Sequence, residues 1–242
     1  MTDKRDCCLV LLVLNEIDGM KACWDQLPLD RFREVVAVDG GSTDGSREFL
    51  AERGIPILDQ NVPGRGVAFR VAADASHAER MVFYSPDGNE DPSDIERLDD
   101  LLLQGARLAI ASRFAEGAVN EEDEGLFRPR AWVNRALTHF ANYAFNDGGG
   151  FVTDTINGFR AIRREDLLTL QTTVKRFPIE YQMSIRCMHR GWPIAELATI
   201  EGQREGGESK ALSWPVGKDH VKVLLTELPN ARWFKGHARA WS

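Results

Sequence analysis

"EVVAVDGGSTDGSREFLAER", Glu34–Arg53, decides how the chain is read. An unbroken apolar run ends at Asp39, turns on Gly40 and Gly41, and continues with helical spacing from Ser46 to Arg53. Continuous apolar runs, as opposed to alternation, mark strands buried on both faces, as in parallel sheets covered by helices. The same unit recurs on either side. "CCLVLLVL" (7–14), "IPIL" (55–58), "RMVFYS" (80–85), "RLAIAS" (107–112) and "IAELATI" (194–200) read as strands. Gly66–His77 and Pro92–Leu103 read as helices between them. This order predicts an α/β fold, a Rossmann-like domain with a mostly parallel central sheet flanked by helices.

Ligands of such sheets sit beyond the carboxyl ends of the strands. Four of those ends carry acidic, polar or glycine-rich turns: Asn15–Glu16, Asp39–Gly45, Ser85–Asn89 and Ser112–Arg113. One such turn is ordinary loop chemistry; four on one rim predict a site. Beyond Arg113 an acidic loop (116–125) precedes a long helix (129–146) and a glycine break (147–151). "TDTINGFRAIRRED" (153–166) then leads to a short helix, and 177–191 forms another. No composition shift divides the chain. The expectation is one domain over 1–242, with a nucleotide-binding half to about 113 and an acceptor-side half after it.

The 242 residues are 43% hydrophobic and 28% charged, as in a globular protein, and a net charge of −7 argues against nucleic acid as a partner. The run 7–14 is too short to span a membrane and lacks a small-residue cleavage site. Cys7, Cys8, Cys23 and Cys187 form no Cys-x-x-Cys pair and read as reduced core thiols of a cytoplasmic protein. The C-terminal stretch interleaves Trp233, Phe234 and Trp241 with Arg232, Lys235 and Arg239. That pattern suits peripheral contact at a membrane face as well as core packing.

In "YSPDGNEDPSDI" (84–95), Asp87 and Asn89 stand two apart at a strand end, where both can face one divalent cation, with Glu90 and Asp91 beside them. The alternative is a turn that starts a helix at Pro92. In "DGGSTDGS" (39–46), glycines admit close backbone approach and Asp39 can accept from a base or ribose; equally, Asp44 or Ser46 can cap the helix. Arg65, between two glycines at a helix start, suits a phosphate or plain solvent.

"LVLNE", "VVAVDGGSTDGS", "YSPDGNEDPSDI", "ASRF", "TDTINGFRAIRRE" and "REGGESK" stand in the order found in family 2 glycosyltransferases. The chain resembles that family over about 7–225, and most of all its dolichol-phosphate mannose synthase branch of polyprenyl-phosphate hexosyltransferases. "REGGESK", Arg204–Lys210, is the stretch most specific to that branch. The resemblance implies a GT-A fold and inverting transfer of mannose or glucose from a GDP- or UDP-hexose to a polyprenyl phosphate, with Mg²⁺ or Mn²⁺. It places Leu14, Glu16, Asp39, Gly41, Arg65, Ser85 and Asp87 at the nucleotide and Asp87 and Asn89 at the metal. It places Arg113, Arg130, Asn134, Arg204, Ser209 and Lys210 at donor or acceptor phosphates. Asp87, Arg113, Arg130 and Asp154 are its catalytic candidates. The chain departs from the family at Leu12 and Leu14, where Pro and Tyr are usual, at Gly40, and at Ser85, where the metal motif has its first Asp.

A phosphate acceptor is already ionised near neutral pH, with a second pKa of about 6. It needs cations to position it more than a base to deprotonate it. No histidine falls at a strand end to serve as base; His77, His139, His189 and His220 read as helical, leaving Asp154 and Glu180 as helpers. Two other readings stay open: the same fold with a soluble small-molecule acceptor, and a nucleotide-sugar-binding relative without catalysis.

Overall fold

A computed structural model of the protein describes residues 5–119, 129–175, 178–202 and 213–231. Strands β1 (Arg5–Val13), β2 (Phe32–Asp39) and β3 (Ile57–Asp59) alternate with helices α1 (Ile17–Cys23) and α2 (Ser46–Glu52). Helix α3 (Arg65–Ala75) leads to β4 (Arg80–Tyr84), α4 (Asp94–Leu103) and β5 (Leu108–Ser112). Then come α5 (Pro129–Phe145), β6 (Arg160–Arg163), α6 (Arg164–Thr169), α7 (Ile179–His189), β7 (Ile194–Ala198) and α8 (Ser213–Glu227).

The strands form one seven-stranded sheet in the order β3-β2-β1-β4-β6-β5-β7. Every pairing is parallel except those of β6, which runs antiparallel to β4 and β5. The α/β reading therefore holds, with one correction. Where a turn and short helix were expected over 153–166, "RAIR" first forms a strand between two others. The expected helices fall within a few residues of their predicted ranges, except that α3 stops at Ala75 and leaves His77 outside it; the sequence reading gives no range for α1 or α8.

Period-two geometry explains the apolar runs. Cys8, Val10 and Leu12 of β1 join a core with α3, α5 and α7, while Cys7, Leu9, Leu11 and Val13 join a second core with α1, α2 and α4. Each strand residue thus meets a helix layer on its own face. All four cysteines are free and buried, as expected of core thiols.

The antiparallel strand matters to the site. Because β6 enters where β4 and β5 end, with Arg160 opposite both Phe83 and Ile110, the turn 153–158 arrives at their carboxyl rim. Strand β7 runs parallel to β5, with Ala198 opposite Ser112, so Thr199–Glu201 reach the same rim. From the other side, Gly19 of α1 backs directly onto the loop after β4. A Cβ at Gly19 would lie 2.5 Å from the Asp87 carbonyl carbon and 2.6 Å from Pro86 O.

Gly19→Ala gains helix propensity, up to about 1 kcal/mol, but the overlap is with rigid backbone. Overpacking of that kind costs about 1–3 kcal/mol. The expected outcome is a net fall in melting temperature, with the 86–89 loop pushed out of place. A variant as stable as wild type in a thermal melt would contradict this packing.

Candidate active site

The strand ends enclose a cavity of about 320 Å³. Leu14, Glu16, Gly40, Gln60, Arg65, Ser85, Asp87, Asn89, Glu90, Arg113, Asn134, Asn157, Glu180, Glu201 and His220 are among its walls. A larger cavity, about 590 Å³, lies between α3 and the segment 171–175. It takes none of the polar strand-end turns, so it is not where the chemistry gathers.

The nucleotide-side rim is stitched by side chains. Asn15 adopts φ 53°, a left-handed conformation that Asn tolerates better than most residues. Its N–H donates to Ser42 Oγ (2.9 Å) and its Oδ1 accepts from Thr43 N–H (2.8 Å). Glu16 N–H donates to Ser46 Oγ (3.0 Å) and Ile17 N–H to Asp44 (3.0 Å). Asp39 sits beneath this turn and is almost wholly buried. It accepts from Gly41 N–H, from Ser42 N–H and Oγ–H, and from Arg47 at 2.7 Å. Burial pushes its carboxyl up, but the Ser42 and Arg47 bonds outweigh it and hold the group below its ordinary value. Neither Asp39 nor Gly41 is among the residues lining the cavity; Gly40 is, packed against Leu14. Neither Asp44 nor Ser46 is the helix cap: Gly45 takes that position without a side-chain cap bond, and Asp44 accepts from Ser46 N–H (3.0 Å) in the turn before it.

The loop after β4 brings Ser85, Asp87, Asn89 and Glu90 into the wall. Asp91 instead accepts from Ser93 N–H (2.9 Å) at the lead-in to α4. Ser85 Oγ accepts from Arg65 (3.2 Å), which is also ion-paired to Glu180. Gly158 leaves room for that guanidinium: a Cβ there would displace Arg65 from its present position. The Arg65 charge is therefore matched by Glu180 within the wall. Glu90 accepts from Ser85 N–H (2.9 Å). Burial, with Asp87 and Glu201 adding like charge, pushes its carboxyl up to about 8 against the Ser85 bond and Arg65.

Asn89 is 6% exposed, its Nδ2–H donates to Glu201 Oε1 (3.4 Å), and its buried Oδ1 meets no hydrogen-bond partner among the described residues. Among the described residues no three of His, Cys, Asp and Glu are grouped to hold a metal on their own. Mg²⁺ does not need such a group, since it keeps waters and substrate phosphates and takes one or two protein carboxylates. An orphaned amide oxygen two residues from the Asp87 carboxylate, in one cavity wall, is a donor pair that fits a hard divalent cation completing its shell with waters and phosphates.

Across the cavity, Arg113 follows β5. Its Nε donates to Asp154 Oδ2 (2.7 Å) and its Nη2 to Oδ1 (3.2 Å). Asp154 is fully buried and also accepts from Ile156 N–H (3.1 Å) and Asn157 N–H (3.0 Å). Asp154 is not among the lining residues, so the geometry makes it the holder of Arg113 and of the turn, not a base facing substrate. Asn134 of α5 is half-buried in the wall. Arg204, Ser209 and Lys210, like the C-terminal aromatic stretch 232–242, lie outside the described residues, and of Arg130 only the backbone, in the first turn of α5, is described. Gln60, Asn157, Glu201 and His220 escaped the sequence reading. His220 reaches the wall from α8, its ring 5.6 Å from that of Tyr181.

The family model described as "Glycosyl transferase family 2" matches residues 8–170. The chain belongs to glycosyl transferase family 2. It is 30% identical over 210 residues to glycosyltransferase AglJ of Haloferax volcanii, covering 85% of this chain and 66% of that one; it thus spans just under two thirds of that relative's length. It is 31% identical over 198 residues to a dolichyl-phosphate hexose transferase of the same organism, covering 80% and 82%. Among solved structures, the glucosyl-3-phosphoglycerate synthase of Mycobacterium tuberculosis in complex with Mn²⁺, UDP and phosphoglyceric acid superposes with a TM-score of 0.73. That likeness covers 93% of this chain and 78% of the other at 22% identity, and it shows the GT-A fold.

Burial pushes Asp154 up, yet the Arg113 guanidinium and two backbone N–H groups hold it below its ordinary value. With the folded value below an unfolded value of about 3.9, the ionised pair stabilises fully above that pH. The contribution is lost as pH falls through the lower folded value. Asp154→Asn should therefore melt well below wild type at pH 7, by the order of 3–5 kcal/mol for a broken buried pair. The gap should be constant down to about pH 5 and narrow below about pH 4. A pH-independent gap would contradict an ionised pair.

Proposed function

We propose that the protein is an inverting, metal-dependent hexosyltransferase that moves mannose or glucose from a nucleotide sugar to a polyprenyl phosphate. The observation that carries the reading is the cavity itself: Asp87 and Asn89 on one wall, Arg113 locked by a buried carboxylate on another, and Asn134 beside them. The dolichyl-phosphate hexose transferase relative supports the acceptor class. The UDP and Mn²⁺ bound to the structural neighbour support a nucleotide donor and a divalent ion.

The nucleoside lies against Leu14, Glu16 and Gly40, with Asp39 and Gly41 shaping the turn beneath it. Asp87 and Asn89 Oδ1 would hold the cation, which when bound would neutralise charge on the diphosphate. Arg113 meets phosphate oxygens with the bidentate geometry suited to guanidinium. Asp154 fixes its orientation, so the cation costs little to arrange. An acceptor phosphate oxygen attacks the anomeric carbon from the face opposite the diphosphate. The bond to the acceptor forms as that to the nucleotide breaks, and no proton need be removed. Arg130, Arg204, Ser209 and Lys210 are assigned to the acceptor and donor phosphates on the family pattern. Among the described residues no helix is long and apolar enough to cross a membrane.

Radiolabelled GDP- and UDP-hexoses, offered with a short-chain polyprenyl phosphate or with 3-phosphoglycerate, test it. Label should move into the organic phase with the lipid phosphate. Label moving only onto the soluble acid would overturn the lipid reading, and no transfer at any metal concentration would overturn the catalytic one. Asn134→Ala should raise the acceptor KM about fivefold, the worth of one neutral hydrogen bond near 1 kcal/mol. Nucleotide affinity, read by calorimetry, should stay unchanged.

A further inference from the structure

Position 85 holds a serine whose hydroxyl is taken by Arg65 and whose N–H is taken by Glu90. The loop must therefore find its support for a cation elsewhere. The structure supplies it from the far end of the chain. Residues 89–90 and 201–202 pair as an isolated antiparallel bridge, with Gly202 N–H donating to Asn89 O (2.9 Å). Segment 199–201 is itself fixed on two more sides. Glu201 N–H donates to Val119 O (2.8 Å), and Thr199 Oγ1–H donates to the buried Asp94 (2.7 Å). The Glu201 carboxylate is thus delivered into the cavity wall by rigid backbone.

The Glu201 carboxylate accepts from Asn89 Nδ2 (3.4 Å), and that contact decides which end of the amide faces which way. The nitrogen turns to Glu201 and Oδ1, buried and without a partner among the described residues, is left to serve a ligand. An amide with its ends exchanged would aim N–H donors at a cation, which is repulsive.

Resting on the metal reading above, we propose that Glu201 is a positioning residue of the metal site: it holds the Asn89 amide with its oxygen toward a divalent cation bound at Asp87. Outer partners of this kind commonly set metal affinity by 10–100-fold.

The test uses the full chain with Mn²⁺ and whichever of UDP and GDP the wild type binds. Free Mn²⁺ is followed by electron paramagnetic resonance, and metal-free nucleotide affinity by calorimetry. Glu201→Ala should weaken Mn²⁺ binding to the protein–nucleotide complex about 10–100-fold. Glu201→Gln keeps an acceptor oxygen for the amide and should keep the larger part of the affinity. Metal-free nucleotide affinity should be the same in all three proteins. Wild-type Mn²⁺ affinity in Glu201→Ala would overturn the proposal. So would a loss in Glu201→Gln as deep as in Glu201→Ala, which would make Glu201 a source of charge alone. So would an equal loss of metal-free nucleotide binding, which would make it a support of the fold. A wild type that binds nucleotide without taking up Mn²⁺ overturns the metal reading and this proposal together. Failure to glycosylate lipid phosphates, with Mn²⁺ binding intact, touches only the acceptor reading.

Discussion

A carboxylate cut off from water holds the rim together. Asp154, fully buried, gathers the Arg113 guanidinium and two backbone N–H groups. The turn it fixes is anchored from β7 by Glu196, which accepts from Thr153 N–H (2.7 Å) and Asp154 N–H (2.8 Å). Asn157 ties the turn to β5 through Ala111 O (2.6 Å). A buried charge without such partners would cost several kcal/mol. With them, three strands and a cation of the site are set in one arrangement, which is what electrostatic catalysis needs: charge placed before the reaction starts.

The cavity balances its charges locally. Arg65 is answered by Glu180 and Arg113 by Asp154, while Asp87 and Glu201 crowd Glu90. Arg65 works against that crowding without cancelling it. In the proposed reading a divalent cation would relieve the rest, and a diphosphate would then meet a wall that is no longer repulsive. An Asp at position 85 would add one more acidic group beside Glu90, while the serine hydroxyl accepts from Arg65.

Much of this could be read from sequence because the sheet is buried on both faces. The runs Cys7–Leu14 and Arg80–Ser85 have no polar residue between their apolar ones, and that pattern has one common explanation. The rim followed from it, since each such strand ends in a turn. Strand β6 escaped because "RAIR" is short and flanked by arginines. Its Arg160 is wholly buried, donating to the Asn157 and Glu180 carbonyls, and burial lowers its pKa to about 10. A charged residue in a sheet interior gives no hydrophobic signal. Glu201 and His220 escaped for another reason. They enter the site through β7 and α8, and nothing local in "TIEGQ" or "KDHVK" says which rim those elements reach. The sequence marks Asp39 as a ligand group, yet its carboxylate is engaged by its own turn and Arg47; sequence names an acceptor but not the donor that claims it first.

The central claim is that Asp87 marks a metal-assisted diphosphate site. Calorimetric titration of UDP and GDP into wild type and Asp87→Ala, each with and without Mn²⁺, tests it most directly. The account predicts that Mn²⁺ tightens nucleotide binding to wild type at least about tenfold, 1.4 kcal/mol, and leaves Asp87→Ala unchanged. An equal gain in both proteins, or none in wild type, would contradict it.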